Sequence, residues 1–496
     1  MRPPGTDHMH ARGWSVVDLA AIAAVTLFGG ALRLLDLGDP PTLVFDETYY
    51  ARDACWYVQV AETVCGVGAD HSEVHPPLGK WLLAGGIRVF GYDPFGWRIA
   101  AAIAGTITIA LLYLLARRLL DSTLGAALAS GLVAIDLLHL VQSRVAMLDV
   151  FVPLFGLAAV LFALYDRDRS RPRAPGGPGP GPSVIDGLLD RPWRLAAGAA
   201  AGAALASKWA GGLFLVAVLC LVVTWEVAAR RNAGEDRPVR RAVAQEGPSV
   251  VAWLVIVPLL IYVFTFAGRL HGPSDSCSEA DGHWINQLVQ AQRCMYRFHS
   301  GLEASHPYQS PAWSWPLLKR PVSYYFQTQD DGDYMEILAT GSPFVWWASL
   351  PALGFVVVVA VRNWMRRRGG GRPEGVIVGG FAFVYLPWMV LAGTRSAIFL
   401  FYLLPAVPFM CLALGYAAAR LRRSRVSILA IALFSVVAVA LFFFYRPVVV
   451  KSPLTPDQWL QRIWVFDDCD TSPRGVSTGT RTRGGPEEGA RGWCWI

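Results

Sequence analysis

Long apolar segments alternate with polar intervals along most of the chain. Each apolar segment is close to the roughly 20 residues that an α-helix needs to cross a bilayer. The segments cover residues 15–35, 97–116, 123–141, 145–165, 192–208, 211–229, 249–267, 342–361, 376–392, 397–419 and 426–445. This pattern predicts an all-α polytopic membrane protein with about eleven transmembrane helices.

Two of the polar intervals are much longer than the others, at residues 36–96 and 268–341. An apolar run at residues 78–90 is short and contains glycines, which favours an interfacial or re-entrant helix over a further span. We therefore expect one transmembrane domain over residues 1–445 with two large outer loops. The polar tail at residues 446–496 is expected to have little regular structure.

The 496 residues are 54% hydrophobic and have a formal net charge of +7. In a soluble protein this charge would favour a nucleic-acid partner, but here the basic residues cluster in alternate short loops between the spans. Examples are "DRDRSRPR" from Asp166, "RNWMRRR" from Arg362 and "RLRRSR" from Arg420. The clusters predict a cytoplasmic N-terminus, an extracytoplasmic C-terminus and no nucleic-acid partner.

Six of the eight cysteines lie in segments that this topology places outside the membrane. They form three groups of two, in the first outer loop, the large outer loop and the tail: Cys55 and Cys65, Cys277 and Cys294, Cys469 and Cys494. Such segregation favours disulfides in an oxidising compartment, with chance placement as the alternative.

The first span is followed by "LVFDETYYARD", which presents two adjacent carboxylates, Asp46 and Glu47, before Tyr49 and Tyr50. Adjacent side chains in a loop point in different directions, so the two carboxylates suit two separate tasks. A carboxylate at a membrane surface can accept a proton from a hydroxyl group, and partial burial tunes its pKa. The alternative is that both residues only end a helix in water.

A set of cations lies at the outer membrane boundary, where a lipid phosphate group would also lie. Lys208 ends an uncharged apolar segment in "GAALASKWAGG", and it can either bind a phosphate or extend its ammonium group to the interface. The other members of the set are His75, Lys80, Arg98, Arg144 and Arg395.

Further charged residues lie within the spans. Asp149, five residues after Arg144, is expected to form a buried charge pair with another helix. Asp136 and His139 have the i, i+3 spacing of metal ligands on one helix face, but the sequence offers no third ligand. Local hydrogen bonding is the better interpretation of this pair, and no metal site is expected.

Seven stretches together resemble the protein O-mannosyltransferases of the glycosyltransferase C superfamily. They occur in the order seen in that family and span about residues 40–410: "FDETYYARD", "EVHPPLGKWLLAGG", "WRIAAAIAG", "SRVAMLDVFVPLF", "ASKWAGGLF", "WPLLKRPVSYYFQ" and "GSPFVWW". Eukaryotic members of the family carry an MIR domain in the loop that corresponds to residues 268–341. Here this loop is too short for such a domain, so the chain is similar to an actinobacterial type.

The resemblance implies a glycosyltransferase C fold and a mannosyl transfer reaction without a cofactor. It implies polyprenyl-phosphate mannose as donor and a Ser or Thr hydroxyl of a secreted protein as acceptor. We expect a site at the outer face of a bacterial plasma membrane, within the lipid bilayer and beside the secretion translocon.

These expectations assign roles to the candidate residues. Asp46 would be the general base, and Glu47 would orient the acceptor or the sugar. The donor phosphate would bind Lys208 and Arg98, with His75 and Arg395 as further candidates. The remaining substrate contacts would come from Tyr49, Tyr50 and Arg144.

Two alternatives remain at this point. A related transferase with the same donor could glycosylate a lipid or glycan, because the acidic outer loop would serve both reactions. A transporter could also place charges within its spans, but the chain shows neither internal repeats nor paired interrupted helices.

Overall fold

Helices form nearly all the regular structure of the described chain. The computed structural model describes residues 13–58, 65, 74–169, 188, 190–267, 283–301, 306, 308–365, 372–391, 397–422 and 424–463. Within these residues, nine helical segments are long and apolar enough to cross a membrane. Each overlaps one predicted span, and the two other predicted spans are the shorter helices Thr123–Ala134 and Pro192–Ser207. The predicted number of about eleven membrane-embedded helices is therefore confirmed at the level of elements.

The helices of the first half, in chain order, are α1 (Val16–Leu34), α2 (Glu47–Tyr57), α3 (Leu78–Phe90), α4 (Pro94–Leu120), α5 (Thr123–Ala134), α6 (Leu137–Gln142), α7 (Phe151–Arg169), α8 (Pro192–Ser207) and α9 (Gly212–Asn232). Short 3₁₀ turns at Leu148–Val150 and Trp209–Gly211 precede α7 and α9. The predicted span at 123–141 is thus broken into α5 and α6.

The second half contains α10 (Pro238–Val251), α11 (Val257–Phe264), α12 (Trp284–Ser300), β1 (Val322–Thr328), β2 (Tyr334–Ala339), α13 (Pro343–Met365), α14 (Pro373–Tyr385), α15 (Pro387–Leu391), α16 (Val407–Leu421), α17 (Arg425–Tyr445) and α18 (Pro456–Leu460). A π-helical turn, Ala252–Ile256, joins α10 to α11. A 3₁₀ segment, Leu400–Ala406, leads into α16.

Local sequence signals fix where several of these helices begin. The Ser15 side chain accepts a hydrogen bond from the backbone N–H of Asp18 and completes a capping box at α1. Asp93 caps α4 and Ser424 caps α17 in the same way, through a side-chain oxygen. Each cap satisfies a backbone donor that the first helical turn leaves unpaired.

Small residues allow α8 to pack closely against the turn between α10 and α11. A Cβ atom at Gly198 would lie 1.7 Å from the carbonyl oxygen of Trp253, and one at Gly202 would lie 2.7 Å from Cα of Pro258. Only glycine permits this approach of two backbones. The packing fixes α8, whose C-terminal end carries Lys208.

The large outer loop contains an antiparallel β-hairpin, which the all-helical prediction did not include. Strand β1 pairs with β2, and Gly332 adopts a left-handed φ of 89° in the connecting turn. The dipeptide Asp331–Gly332 between two β-branched and aromatic runs is a hairpin signal that sequence reasoning missed.

The start of the C-terminal tail packs on this hairpin. Tyr334 and Leu454 exchange two backbone hydrogen bonds of 2.8 and 3.0 Å, and the buried Trp459 indole donates to Glu336 Oε2 at 2.7 Å. The prediction of little regular structure in the tail is therefore wrong for residues 446–463, whereas residues 464–496 lie outside the described chain.

The first outer loop contains the helix predicted at residues 78–90, and α3 packs against α2 and α4. Cys55 and Cys65 form a disulfide, which confirms one of the three expected groups. Cys294 is also disulfide-bonded. Cys277, Cys469 and Cys494 lie outside the described residues.

Candidate active site

Asp46 lies at the end of the loop that follows α1, directly before the first residue of α2. The preceding residue, Phe45, has a left-handed φ of 50°, which is unusual for an aromatic residue and gives this loop a sharp bend. The hydroxyl of Tyr50, one helical turn later, donates to Asp46 Oδ2 over 3.3 Å. As a whole residue Asp46 remains partly exposed, whereas its neighbour Glu47 is fully buried.

Glu47 has a different environment, because its carboxylate is fully buried and forms four hydrogen bonds. Oε1 accepts from Arg98 Nε and from the Ala146 backbone, both at 2.8 Å. Oε2 accepts from Arg98 Nη2 at 2.8 Å and from the Val44 backbone at 2.9 Å. The adjacent carboxylates therefore point in different directions, as the sequence predicted.

Arg98 is buried with Glu47 and connects α4 to the loop that carries Asp46. Its remaining N–H groups donate to three backbone carbonyl oxygens of that loop: Leu37, Pro40 and Thr42. Because all its donors are engaged within the protein, the geometry speaks against Arg98 as a phosphate ligand and against Glu47 as an acceptor-orienting residue. The pair instead anchors the Asp46 loop.

Lys208 forms a buried ion pair with Asp149. Its Nζ atom lies 2.7 Å from Oδ2 and 2.9 Å from Oδ1 of that carboxylate. Lys208 follows the last residue of α8 in extended conformation, and Asp149 lies in the 3₁₀ turn before α7. This confirms the expectation that Asp149 pairs with another helix. The Lys208 ammonium also lies 5.1 Å from the ring centroid of Tyr402, so the aromatic ring is a second partner for its positive charge.

Aromatic residues from the large outer loop and from the segment before α16 complete the site. Tyr324 of β1 stacks on Phe45, with ring centroids 4.2 Å apart and an interplanar angle of 8°. Gln142 Nε2 donates to the Tyr324 hydroxyl at 2.8 Å, and Phe401 contacts both stacked rings edge-on. The hairpin therefore holds the bent residue that precedes Asp46.

Asp46 keeps some exposed surface, but its carboxyl group is largely surrounded by protein, and this desolvation raises its pKa to about 6, above its ordinary value. The positive charge of Lys208 opposes this rise, the negative charge of Asp149 adds to it, and the Tyr50 hydrogen bond also lowers the pKa. The carboxylate is thus deprotonated at neutral pH but more basic than a solvated aspartate. These are the properties required of a general base.

The other predicted site residues lie in different surroundings. His75 is buried, with its ring 5.9 Å from Tyr50 and 5.2 Å from His299. The Tyr49 side chain is 56% exposed and belongs to the surface of α2. Arg395 lies outside the described residues.

Arg144 is buried and binds the backbone at the end of α1. Its guanidinium donates to backbone carbonyl oxygens at the C-terminal end of α1: Leu32, Arg33, Leu35 and Asp36. These carbonyl groups have no partners within the helix, so the arginine satisfies them. These contacts give Arg144 a structural role, and its substrate-binding role stays a prediction.

Sequence reasoning did not place Asp149, Gln142, Tyr324 or Tyr402 at this site. A signal existed for Asp149, since a carboxylate inside an apolar span requires a cationic partner and Lys208 was the isolated lysine. The two tyrosines gave no such signal, because aromatic residues are frequent throughout the chain.

The Asp136 and His139 pair forms local hydrogen bonds, as expected. Asp136 accepts from the His139 backbone at 2.9 Å and from the Trp346 indole at 2.7 Å, while Arg33 lies 2.8 Å from His139 Nδ1. In the part of the chain that the structure describes, no three His, Cys, Asp or Glu residues group as metal ligands.

Two family models match this chain. One describes the C-terminal four-transmembrane region of protein O-mannosyltransferases and matches residues 284–467. The other describes dolichyl-phosphate-mannose–protein mannosyltransferases and matches residues 74–174. A polyprenol-phosphate-mannose–protein mannosyltransferase of Mycolicibacterium smegmatis is 28% identical over 92% of this chain and 93% of its own.

A protein of the same name from Corynebacterium glutamicum is 30% identical over 82% of each chain. The chain belongs to the protein O-mannosyltransferase family. A solved Saccharomyces cerevisiae protein O-mannosyltransferase complex, bound to the sugar donor, matches the fold with a TM-score of 0.72. The identity is 16%, over 92% of this chain and 93% of that one. The predicted glycosyltransferase C fold and the predicted enzyme class, a protein mannosyltransferase, are thereby confirmed.

Proposed function

We propose that this enzyme transfers mannose from polyprenyl-phosphate mannose to Ser or Thr hydroxyls of proteins, with Asp46 as the general base. The observation that carries the assignment of the base is the contrast between two neighbouring carboxylates. Glu47 has every oxygen engaged, whereas Asp46 is partly exposed, more basic than usual and adjacent to a buried cation. The names of the mycobacterial and corynebacterial relatives support the donor and the protein acceptor.

The proposed step is a direct displacement at C1 of mannose. The acceptor oxygen forms a bond to C1, the bond from C1 to the phosphate oxygen breaks, and Asp46 takes the hydroxyl proton. The polyprenyl phosphate leaves as an anion, so a nearby cation stabilises it more effectively than an acid would. Attack from the face opposite the leaving group inverts C1 and gives an α-linked mannose from a β-linked donor.

Lys208 is the cation that we assign to the donor phosphate. Two of its three N–H donors engage Asp149, and we assign the third, on an ammonium group that also lies over the Tyr402 ring, to a phosphate oxygen. Asp149 would then orient the ammonium group and limit its electrostatic effect on Asp46. His75 and Arg395 remain candidates for further phosphate contacts from the first outer loop and from the segment before α16.

We place this site at the extracytoplasmic face of a bacterial plasma membrane, with a cytoplasmic N-terminus. The basis is the arginine clusters, which lie at the other end of the helices. An acceptor protein would then meet the site as it leaves the secretion translocon.

The test is mannose transfer from polyprenyl-phosphate mannose to a Ser/Thr-rich peptide by purified Asp46→Asn. We expect a loss of turnover of at least about 10³-fold, with donor affinity within about threefold of wild type, because the amide cannot accept the proton. Asp36→Asn is the matched control, since it removes an exposed carboxylate from the same loop. Near-normal turnover of Asp46→Asn would refute the assignment.

A further inference from the structure

A second cavity lies far from the proposed active site, at the opposite end of the helices. Helices α9 and α13 both begin near the site and end beside this cavity, and α14 begins there. The cavity has a volume of about 940 Å³ and is bounded by these three helices. By the distribution of arginines this is the cytoplasmic end of the membrane domain.

Two glycines one helical turn apart leave the α14 side of the cavity open. A Cβ atom at Gly375 or Gly379 of α14 would meet no atom within 4 Å. Leu221 and Phe383 form apolar walls beside these glycines. The space is therefore a groove between helices with room for a hydrocarbon chain, and not a packing defect within the core.

The mouth of the cavity is cationic. Arg231 at the end of α9 and Arg372 before α14 line it, together with Asn363. Within the described chain, neither guanidinium group is engaged in an ion pair. The charge of the acidic side chain at the cavity, Glu374, is balanced by Arg420: Oε1 accepts from Arg420 at 3.1 Å and from the Tyr416 hydroxyl, while the buried Oε2 has no hydrogen-bond partner among the described residues. The positive charges of Arg231 and Arg372 therefore remain unbalanced at the mouth of the cavity.

We infer that this cavity binds an anionic phospholipid of the cytoplasmic leaflet, with its phosphodiester between Arg231 and Arg372 and an acyl chain along Gly375 and Gly379. The combination of a cationic mouth and an apolar groove at one membrane boundary fits a charged lipid better than a zwitterionic one.

The experiment is native mass spectrometry of the full-length protein in neutral detergent, titrated with phosphatidylglycerol or phosphatidylcholine. We expect the double variant Arg231→Gln/Arg372→Gln to bind phosphatidylglycerol about thirtyfold more weakly, since each cation near the headgroup contributes about 1 kcal/mol. The control, Arg240→Gln/Arg422→Gln, removes the same charge from the same end of the protein without altering the cavity. Its affinity should match wild type.

A second variant separates the groove from its charges. Gly379→Phe should fill the cavity and weaken phosphatidylglycerol binding at least tenfold, whereas Gly354→Phe, also without neighbours within 4 Å but outside the cavity, should not. Three outcomes would overturn the proposal. They are equal binding of phosphatidylcholine, equal weakening by the control pair, and displacement of the lipid by inorganic phosphate at the same concentration.

Discussion

At the scale of single residues, the adjacent carboxylates of Asp46 and Glu47 differ in role because their surroundings in the folded protein differ. Glu47 is held in four hydrogen bonds and has no exposed surface, so its charge serves the structure. Asp46 accepts one hydrogen bond, from Tyr50, and keeps access to solvent. A buried carboxylate with complete pairing stabilises a loop, whereas one with incomplete pairing retains basicity for chemistry.

The pKa of Asp46 predicts how activity depends on pH. Because the base must be deprotonated, kcat/KM should fall about tenfold for each pH unit below a midpoint near 6, and it should level off above that midpoint. Tyr50→Phe removes a hydrogen bond that lowers this pKa, so the midpoint should move to higher pH. The measurement is the pH profile of mannose transfer for both proteins. A midpoint that is unchanged in Tyr50→Phe would contradict the assignment.

The ion pair of Lys208 and Asp149 gives a second prediction at this scale. Lys208→Gln alone leaves a buried unpaired carboxylate and should lower stability by about 3–5 kcal/mol. In Lys208→Gln/Asp149→Asn both charges are removed, so much of the stability should return while the donor KM remains at least tenfold higher than in wild type.

The measurements are thermal unfolding and donor titration of both variants. The matched control is Lys80→Gln/Asp53→Asn, which removes a buried lysine–aspartate pair of the first outer loop whose two charged atoms lie 2.5 Å apart. If Lys208→Gln/Asp149→Asn has the donor KM of the wild type, the ion pair has a structural role only and does not bind the donor.

At the scale of elements, the site is assembled from segments that are far apart in the chain. The loop before α2, the turn before α7, the end of α8, the hairpin and the segment before α16 each contribute one or two side chains. The bent backbone at Phe45 is held between the hairpin and Phe401. The hairpin therefore acts on Asp46 through packing, without being a reacting group.

This arrangement predicts a specific sensitivity of the hairpin. Tyr324→Ala removes the stacked ring and the hydrogen bond from Gln142, so Asp46 loses its position and kcat should fall at least tenfold. Tyr325→Ala, the next residue on the half-buried side of the strand, should change kcat by less than twofold. Steady-state transfer assays with both variants make the comparison. Equal effects would show that the hairpin acts only through its overall stability.

At the scale of the whole molecule, the proposed active site and the arginine-rich helix ends lie on opposite sides of the membrane domain. The Asp331 turn of the hairpin is on the active-site side, and Ser424 between α16 and α17 is on the arginine-rich side. Both residues are exposed. The two sides should therefore differ in their access to reagents that do not cross membranes.

Cysteine labelling of intact cells measures this orientation. In a Cys220→Ser/Cys411→Ala background, an impermeant maleimide should label Asp331→Cys in intact cells and Ser424→Cys only after permeabilisation. The physical reason is that arginine-rich loops are retained on the cytoplasmic side during insertion. The reverse pattern would place the site in the cytoplasm and exclude a secreted acceptor.

The sequence by itself determined the features that depend on local pattern. The eleven predicted spans and the family followed from length, hydropathy and ordered motifs, and the segregation of the cysteines indicated disulfides, whereas the Cys55–Cys65 bond itself comes from the structure. Asp46 and Lys208 could be selected as candidate site residues because a charged residue beside an apolar segment is easily recognised in a sequence.

Only the tertiary structure decided what these charges contact. Arg98 meets Glu47 across 51 residues of sequence and Lys208 meets Asp149 across 59, and no local pattern encodes such pairings. Burial then determines whether a charged side chain has unpaired donors and acceptors left for a substrate. For this reason Arg98 and Glu47, which resembled site residues in sequence, anchor the loop, whereas Asp46 and Lys208 remain the candidates for the reaction.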